Sequence, residues 1–297
     1  MKKLVSVQLI GGLGNQMFQY AIGIILQLEN KINVKFDLDF FKIIDGGEGY
    51  IKRSFDLDVF DVHIDPLTIE ERNYFLGTGR LSTIKRLLKG RPAYYYEQVE
   101  GFKEDWKVIN KNMYFSGYFQ KYEFYSNYET LLLETFQFNK MKISQKALEI
   151  ADLLVKENSV SIHIRKGDYV KDSITKMVFC DLDSEYYNRA IARLRKLQTN
   201  LKFYVFSDDV NWVVENFNPQ EIIYEVIDLN NPKNSWDDIF LMTKCKHNIL
   251  ANSTFSWWGA FLNPNPQKVI IAPKKWYYDT IKNQHAMQIY PNGWILI

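Results

Sequence analysis

Three polar stretches in the second half of the chain hold side chains that can bind and polarise an anion. The first is His163-Ile164-Arg165-Lys166-Gly167-Asp168-Tyr169. Arg165 can grip a phosphate through paired hydrogen bonds, and it stays charged at any working pH. His163 shares a face of the strand with Arg165 and can orient a ligand through a ring nitrogen. The alternative is a purely structural Arg165–Asp168 ion pair, although a buried pair tends to cost stability. The second stretch is Ser207-Asp208-Asp209. A carboxylate there can accept from N1–H and N2–H of a guanine together, a contact that adenine does not offer. Equally, an Asp at that position can serve only as the cap of a helix. The third stretch is Asn252-Ser253-Thr254-Phe255-Ser256-Trp257-Trp258-Gly259. Hydroxyls and open backbone N–H groups at a helix start form an anion site. A plain cap by Ser253 is the simpler alternative. Trp257 and Trp258 read as core rather than as a sugar platform.

A fourth stretch, Gly11-Gly12-Leu13-Gly14-Asn15-Gln16, lies near the start of the chain. A dinucleotide fingerprint would need a third glycine after Gly12 and Gly14, and that position is Met17. The spacing therefore argues against a nicotinamide enzyme, even with Asp37 or Asp39 available for a ribose. Asp-x-Asp, a metal signature of some transferases, occurs as Asp37-Leu38-Asp39, Asp56-Leu57-Asp58 and Asp181-Leu182-Asp183. So short a pattern recurs by chance, and no zinc-ligand spacing accompanies it.

The elements that must carry these residues follow from periodicity. Val5 to Ile10 reads as a strand, Asn15 to Glu29 as a helix and Val34 to Leu38 as a second strand. Met17, Phe18, Ala21, Ile22, Ile25 and Leu28 form the helix's apolar face. A strand, a glycine loop, a helix and a strand open an α/β fold. Residues 40 to 130 give no clean rhythm. After a connecting helix from Ser144 to Asn158, strands are expected at Ser159 to Ile164, Lys202 to Ser207, Glu225 to Leu229, Asn248 to Ala251 and Val269 to Ala272. Helices are expected at Ser184 to Leu197, Ser235 to Lys244 and Thr254 to Leu262. That alternation predicts a second, parallel Rossmann-like sheet, with a domain boundary between 143 and 144. All three polar stretches of the second half then fall at strand ends, where open parallel sheets gather ligands.

Composition sets outer limits. A chain of 297 residues, 46% hydrophobic and 24% charged, can build a sizeable core. A net charge of +2 gives no strong pull toward nucleic acid. One run is basic: Arg80, Lys85, Arg86, Lys89 and Arg91 alternate with Leu81, Ile84, Leu87 and Leu88. It can rest on an anionic membrane surface or form a solvated helix face. Two cysteines allow at most one bridge and suit a reducing cytoplasm. The first residues read as a strand rather than a signal peptide, and no apolar run is long enough to span a membrane.

Taken together, these stretches resemble the α-1,2-fucosyltransferase family, glycosyltransferase family 11, in its bacterial form. The matching residues run from Gly11 to Ala21, Gly117-Tyr118-Phe119-Gln120, His163 to Tyr169, Phe206-Ser207-Asp208-Asp209, and Asn252 to Gly259. One departure is Lys166, where the family usually has a second arginine. The resemblance implies a GT-B fold, two Rossmann-like domains facing across a cleft: 1–143 on the acceptor side and 144–297 for the donor. It implies GDP-fucose as donor, a galactose-terminated glycan as acceptor and no metal or other cofactor. By the same resemblance His163 and Arg165 hold GDP, one of Asp208 and Asp209 reads guanine (Asp209 favoured), and Ser253, Thr254, Phe255 and Ser256 line the phosphates and base. Gly12 and Gly14 count with the binding residues. Asn15 lies near the fucose or the attacking hydroxyl, and Arg165, Asn15 and Asp168 are the catalytic candidates. The general base stays open among Asp168, Asp37, Asp39 and other acids of the first half. Rival activities are an α-1,6 or protein O-linked fucosyltransferase, or a non-catalytic nucleotide-sugar binding module. A cytoplasmic enzyme touching the inner membrane surface is the expected setting.

Overall fold

The computed structural model describes residues 3–43, 52–167, 173–219, 222–229 and 234–297. The chain divides into two units, Met1–Gln137 and Phe138–Ile297. The expected boundary at 143/144 falls at the start of the second unit's first α-helix, whose N-cap is Ser144.

In the first unit the strands are β1 (Val5–Gln8), β2 (Val34–Asp37), β3 (Ala93–Tyr96) and β4 (Met113–Ser116). They form one sheet in the order β2-β1-β4-β3. Every pairing is parallel. The helices are α1 (Leu13–Asn30), α2 (Ile69–Leu76), α3 (Arg80–Lys89), α4 (Glu97–Glu100) and α5 (Glu129–Thr135). The expected apolar face of α1 is buried at Met17, Phe18, Ala21, Ile22 and Ile25. Leu28 departs from it and is 56% exposed. The cause is length. An 18-residue helix is about 27 Å long, and a four-residue strand about 13 Å, so the last turn overhangs the sheet. β3 and β4 lie in the stretch that gave no clean rhythm. β3 holds Tyr94-Tyr95-Tyr96, of which only Tyr95 is buried.

The second unit begins with α6 (Gln145–Lys156) and β5 (Ser159–Ile164), followed by α7 (Ser173–Val178) and α8 (Ser184–Arg195). β6 (Lys202–Ser207), α9 (Val210–Asn216), β7 (Tyr224–Val226), α10 (Trp236–Lys244) and β8 (His247–Ile249) come next. The chain closes with α11 (Thr254–Phe261), β9 (Ile270–Ala272), α12 (Thr280–Ala286) and β10 (Ile295–Leu296). The sheet order is β10-β9-β8-β5-β6-β7, again with every pairing parallel. All six residues of β5 are buried, as a central parallel strand requires. β7 is shorter than expected and begins one residue earlier. β10 is an edge strand of two residues, too short to show a period.

Helix α1 lies directly on β2. A methyl group added at Gly23 would stand 2.5 Å from ring carbons of the buried Phe36. Helix propensity alone favours Gly23→Ala by about 1 kcal/mol. Overpacking costs about 1–3 kcal/mol and wins here. Thermal unfolding of Gly23→Ala should show a lower melting temperature than the wild type; an equal or higher one would mean that α1 shifts freely on the sheet.

Candidate active site

In the second unit β5 stands between β6 on one side and β8 on the other, so the chain's strand order reverses beside it. Such a switch point opens a crevice at the carboxyl ends of the strands. The three polar stretches follow β5, β6 and β8. Helix α8 pins two of these ends. Tyr187 donates to the carbonyl of His163 at 3.1 Å, and Tyr186 donates to that of Leu250 at 2.6 Å. Asn252, buried, donates to the carbonyls of Cys180 and Trp276.

Asp208 ties the β5 and β6 ends together. Its Oδ2 is 2.9 Å from Nη1 of Arg165, and its Oδ1 accepts the backbone N–H of Lys166 at 2.9 Å. A Cβ at Gly167 would come within 2.5 Å of Oδ2, so only glycine fits against this carboxylate. Arg165 is thus paired with Asp208. Asp168 and Tyr169 lie outside the described residues, so the alternative Arg165–Asp168 pair does too. Asp209 accepts from the N–H of Trp212 at 3.0 Å as the N-cap of α9. The two neighbouring carboxylates therefore do different work: one holds an arginine, the other starts a helix.

Lys166 has a structural task that an arginine would perform differently. It is buried, its ammonium contacts Asp181 and it stands 4.2 Å from the centre of the Trp212 ring. A compact ammonium suits that slot, where a cation and an aromatic face attract.

His163 is buried beneath the pair, its ring tilted 33° to that of Phe255 with centres 5.7 Å apart. Burial, reinforced by Arg165 and opposed by Asp208, lowers its pKa from 6.5 to about 3. The imidazole is neutral at any working pH. Its Nδ1 is buried with no hydrogen-bond partner among the described residues. A buried polar atom in that state is costly unless a ligand meets it. Ser253 caps α11, accepting from the N–H of Phe255 at 3.3 Å, with Thr254 as the first helical residue. Ser256 is fully buried and its hydroxyl turns back to the carbonyls of Ala251 and Ser253. It shapes the turn. Trp257 and Trp258 are fully buried, as core residues.

The first unit has a switch point of its own, between β1 and β4. Gly11 turns the chain after β1 with φ +80°, a left-handed conformation suited to glycine. Gly12 is the N-cap of α1 with open space around it, and Gly14, buried, is in the first turn. Gln120 donates to Oδ1 of Asn15 at 2.9 Å, which joins the first turn of α1 to the loop after β4. Gln19 reinforces that joint, accepting from the N–H of Ile10 and donating to the carbonyl of Gly117. Gln16 donates to the carbonyls of Gly11 and Ser54 and accepts the N–H of Asp56.

The model of glycosyl transferase family 11 matches residues 85–297. The O-antigen biosynthesis glycosyltransferase WbnK of Escherichia coli is 33% identical, the match covering 96% of this chain and 98% of the relative. This chain belongs to glycosyl transferase family 11. An alpha-1,2-colitosyltransferase of Escherichia coli is 31% identical, covering 92% of each chain. Among solved structures, an Arabidopsis thaliana FUT1 mutant in complex with GDP aligns with a TM-score of 0.50 at 11% identity, over 92% of this chain and 70% of that one. The likeness is one of fold, and the fold is of the GT-B type, with two Rossmann-like units.

Several acids of this glycosyltransferase are engaged in structure. Asp37 is buried, accepts from Tyr114 at 2.7 Å and pairs with Arg72, which also reaches Asp39. Asp181 meets Lys166, and Asp183 caps α8. Among the first unit's carboxylates, Asp56, marked in the sequence only by an Asp-x-Asp pattern, and Glu97 are held above the usual range. Burial, with help from Asp58 and opposition from Arg53, pushes Asp56 up to about 6. Burial also raises Glu97, whose Oε2 accepts the N–H of Phe119 at 3.4 Å. Gln16 and Gln19 did carry a signal: amides interrupting an apolar helix stripe are buried for a reason. Unit 2 also has a groove of about 1040 Å³, lined by residues such as Glu157, Arg195, Lys202 and Tyr224. It lies at the starts of β6 and β7, the end of the sheet opposite the polar corner.

The neutral His163 makes a pH prediction. Between about 3 and 6.5 the unfolded chain binds a proton there that the folded chain refuses. Stability is then full above pH 6.5 and falls as pH drops toward 3. Urea midpoints of His163→Asn should decline less on acidification from about pH 6.5 to 5 than those of the wild type. Parallel declines would mean that His163 takes up its proton in the folded state.

Proposed function

We propose that this chain transfers fucose from GDP-fucose to the 2-hydroxyl of a terminal galactose, with inversion, forming an α-1,2 linkage. The observation that carries the reading is the Arg165–Asp208 pair at the β5/β6 corner, beside the start of α11 and above the neutral His163. Membership of family 11 and the resemblance of the motifs support the donor and the linkage. Fucose C1 breaks its bond to the GDP oxygen as the galactose 2-oxygen attacks from the opposite face. Negative charge grows on the diphosphate, where Arg165 and the positive end of the α11 dipole supply positive potential without a metal. One of Asp208 and Asp209, with Asp209 favoured, reads the guanine. Gly12, Gly14 and Asn15 of the first unit serve the sugar and the acceptor. The reaction takes place in the cytoplasm on a glycan precursor.

Arg165→Ala should lower turnover by several hundred-fold, on the scale of a lost transition-state donor, in assays of GDP release with a galactoside acceptor. Wild-type turnover should persist in saturating EDTA. Near-normal activity of Arg165→Ala would overturn the donor site, and inactivation by EDTA the metal-free mechanism. A second reading, transfer of colitose, rests on the likeness to the alpha-1,2-colitosyltransferase. Competition between the two GDP-sugars for one acceptor, with linkage analysis, separates them.

The proton leaves the 2-hydroxyl for a carboxylate, and Asp56 suits the task. Its backbone is held by Gln16, next to Asn15, and its pKa of about 6 lets it ionise yet remain basic near neutrality. Turnover should rise with pH through about 6, and Asp56→Asn should abolish it. Because the raised pKa makes ionised Asp56 a cost that builds as pH rises from about 3.8 to 6 and is full above it, Asp56→Asn should also be more heat-stable than the wild type at about pH 8. An active Asp56→Asn would return the role to Asp168, and Asp168→Asn is the control.

A further inference from the structure

Helix α3 is mounted with its apolar side outward. At 3.6 residues per turn, Leu81, Ile84, Leu87 and Leu88 fall within an arc of roughly 120°. An amphipathic helix of a globular protein turns such an arc to the core. Here the four side chains are 76%, 50%, 74% and 78% exposed. Of the helix's described residues, Ser82 alone is buried. Ser82 and Arg86 point roughly half a turn away from the leucine arc. Arg86 fastens the helix to the end of α2, donating to the carbonyls of Tyr74 at 2.9 Å, Phe75 at 2.9 Å and Gly77 at 2.6 Å. The attachment is therefore polar, and the apolar arc is left facing water.

The helix is cationic, with Arg80 within the arc and Lys89 in the last turn, beyond the arc's edge. Residues 80 to 91 hold five basic side chains and no acidic one. Arg86 is used in the attachment, and Lys85 pairs with Glu70 of α2 at 3.1 Å. Arg80 and Lys89 lie on the helix and Arg91 just beyond it, all exposed. Leucines that can enter an acyl boundary, flanked by cations, complement an anionic bilayer surface. We infer that α3 is a membrane-docking element that seats this chain on anionic lipid through Leu81, Leu87 and Leu88, with Arg80, Lys89 and Arg91 at the headgroups. The inference goes beyond the donor reading and does not depend on it.

The test uses the full chain and sedimentation with vesicles. One set is phosphatidylcholine alone; the other has one part phosphatidylglycerol to two of phosphatidylcholine. The wild type should bind the anionic set at least tenfold more tightly, and the preference should shrink in high salt. A Leu81→Ser/Leu88→Ser variant should lose binding at least tenfold, and Lys89→Glu/Arg91→Glu should lose the anionic preference. All four positions are exposed, so melting temperature and turnover of a soluble galactoside should stay at wild-type values. Equal binding to both vesicle sets, or full binding by the leucine variant, would overturn the inference. So would a concentration-dependent dimer that the leucine changes abolish, because a second copy would then be the natural cover of the arc.

Discussion

The carboxylate of Asp208 accepts from two neighbours at once, the Arg165 guanidinium and the Lys166 backbone. Both oxygens are used, and the absence of a side chain at Gly167 leaves the carboxylate its place. This fixes the direction in which Arg165 presents its charge. It also fixes the spacing of the β5 and β6 ends, because Asp208 belongs to one and its partners to the other. A lone arginine at a strand end would spread over many rotamers, and binding an anion would then cost the entropy of choosing one. The pair removes that cost before any ligand arrives. The lysine ammonium, lodged against Trp212 and Asp181, backs the same corner from behind.

Much of this corner was legible in the sequence. Parallel strands place their carboxyl ends on one edge, so polar residues that follow strands are neighbours even when far apart in the chain. That rule brought the stretches at 163, 207 and 252 together. It did not assign partners. The sequence favoured Asp209 over Asp208 for the guanine and offered Asp168 to Arg165. The structure gives Asp208 to Arg165, while Asp168 lies outside the described residues; spacing along a chain says nothing about which oxygen faces which nitrogen. Ser256 is similar. Its place in a hydroxyl-rich motif suggests a ligand, but helical geometry turns it back toward the preceding turn.

The first unit was harder to read for a different reason. β3 and β4 are four residues each, and between β2 and β3 the described residues form two short 3-10 helices and two short α-helices. Periods need more residues than these elements contain. The motif from Gly11 to Ala21 was visible, but its logic was not. Gln16 and Gln19 are builders: their amides bind three loops to one helix, and so hold Asn15 and Asp56 in place. Asp37 and Asp39, candidates for proton transfer on sequence grounds, pair with Arg72.

The place of β1 in its sheet also bears on how the chain is made. β1 pairs with β2 about thirty residues later, but its other edge waits for β4, with Val5 opposite Met113. While the ribosome adds the residues between, that edge of a buried, valine-rich strand has no permanent neighbour. An unpaired strand edge invites the wrong partner. The switch point that creates the first unit's crevice thus carries a cost at birth. The sheet, and with it the joint between Asn15 and Gln120, closes only after residue 120 has left the exit tunnel.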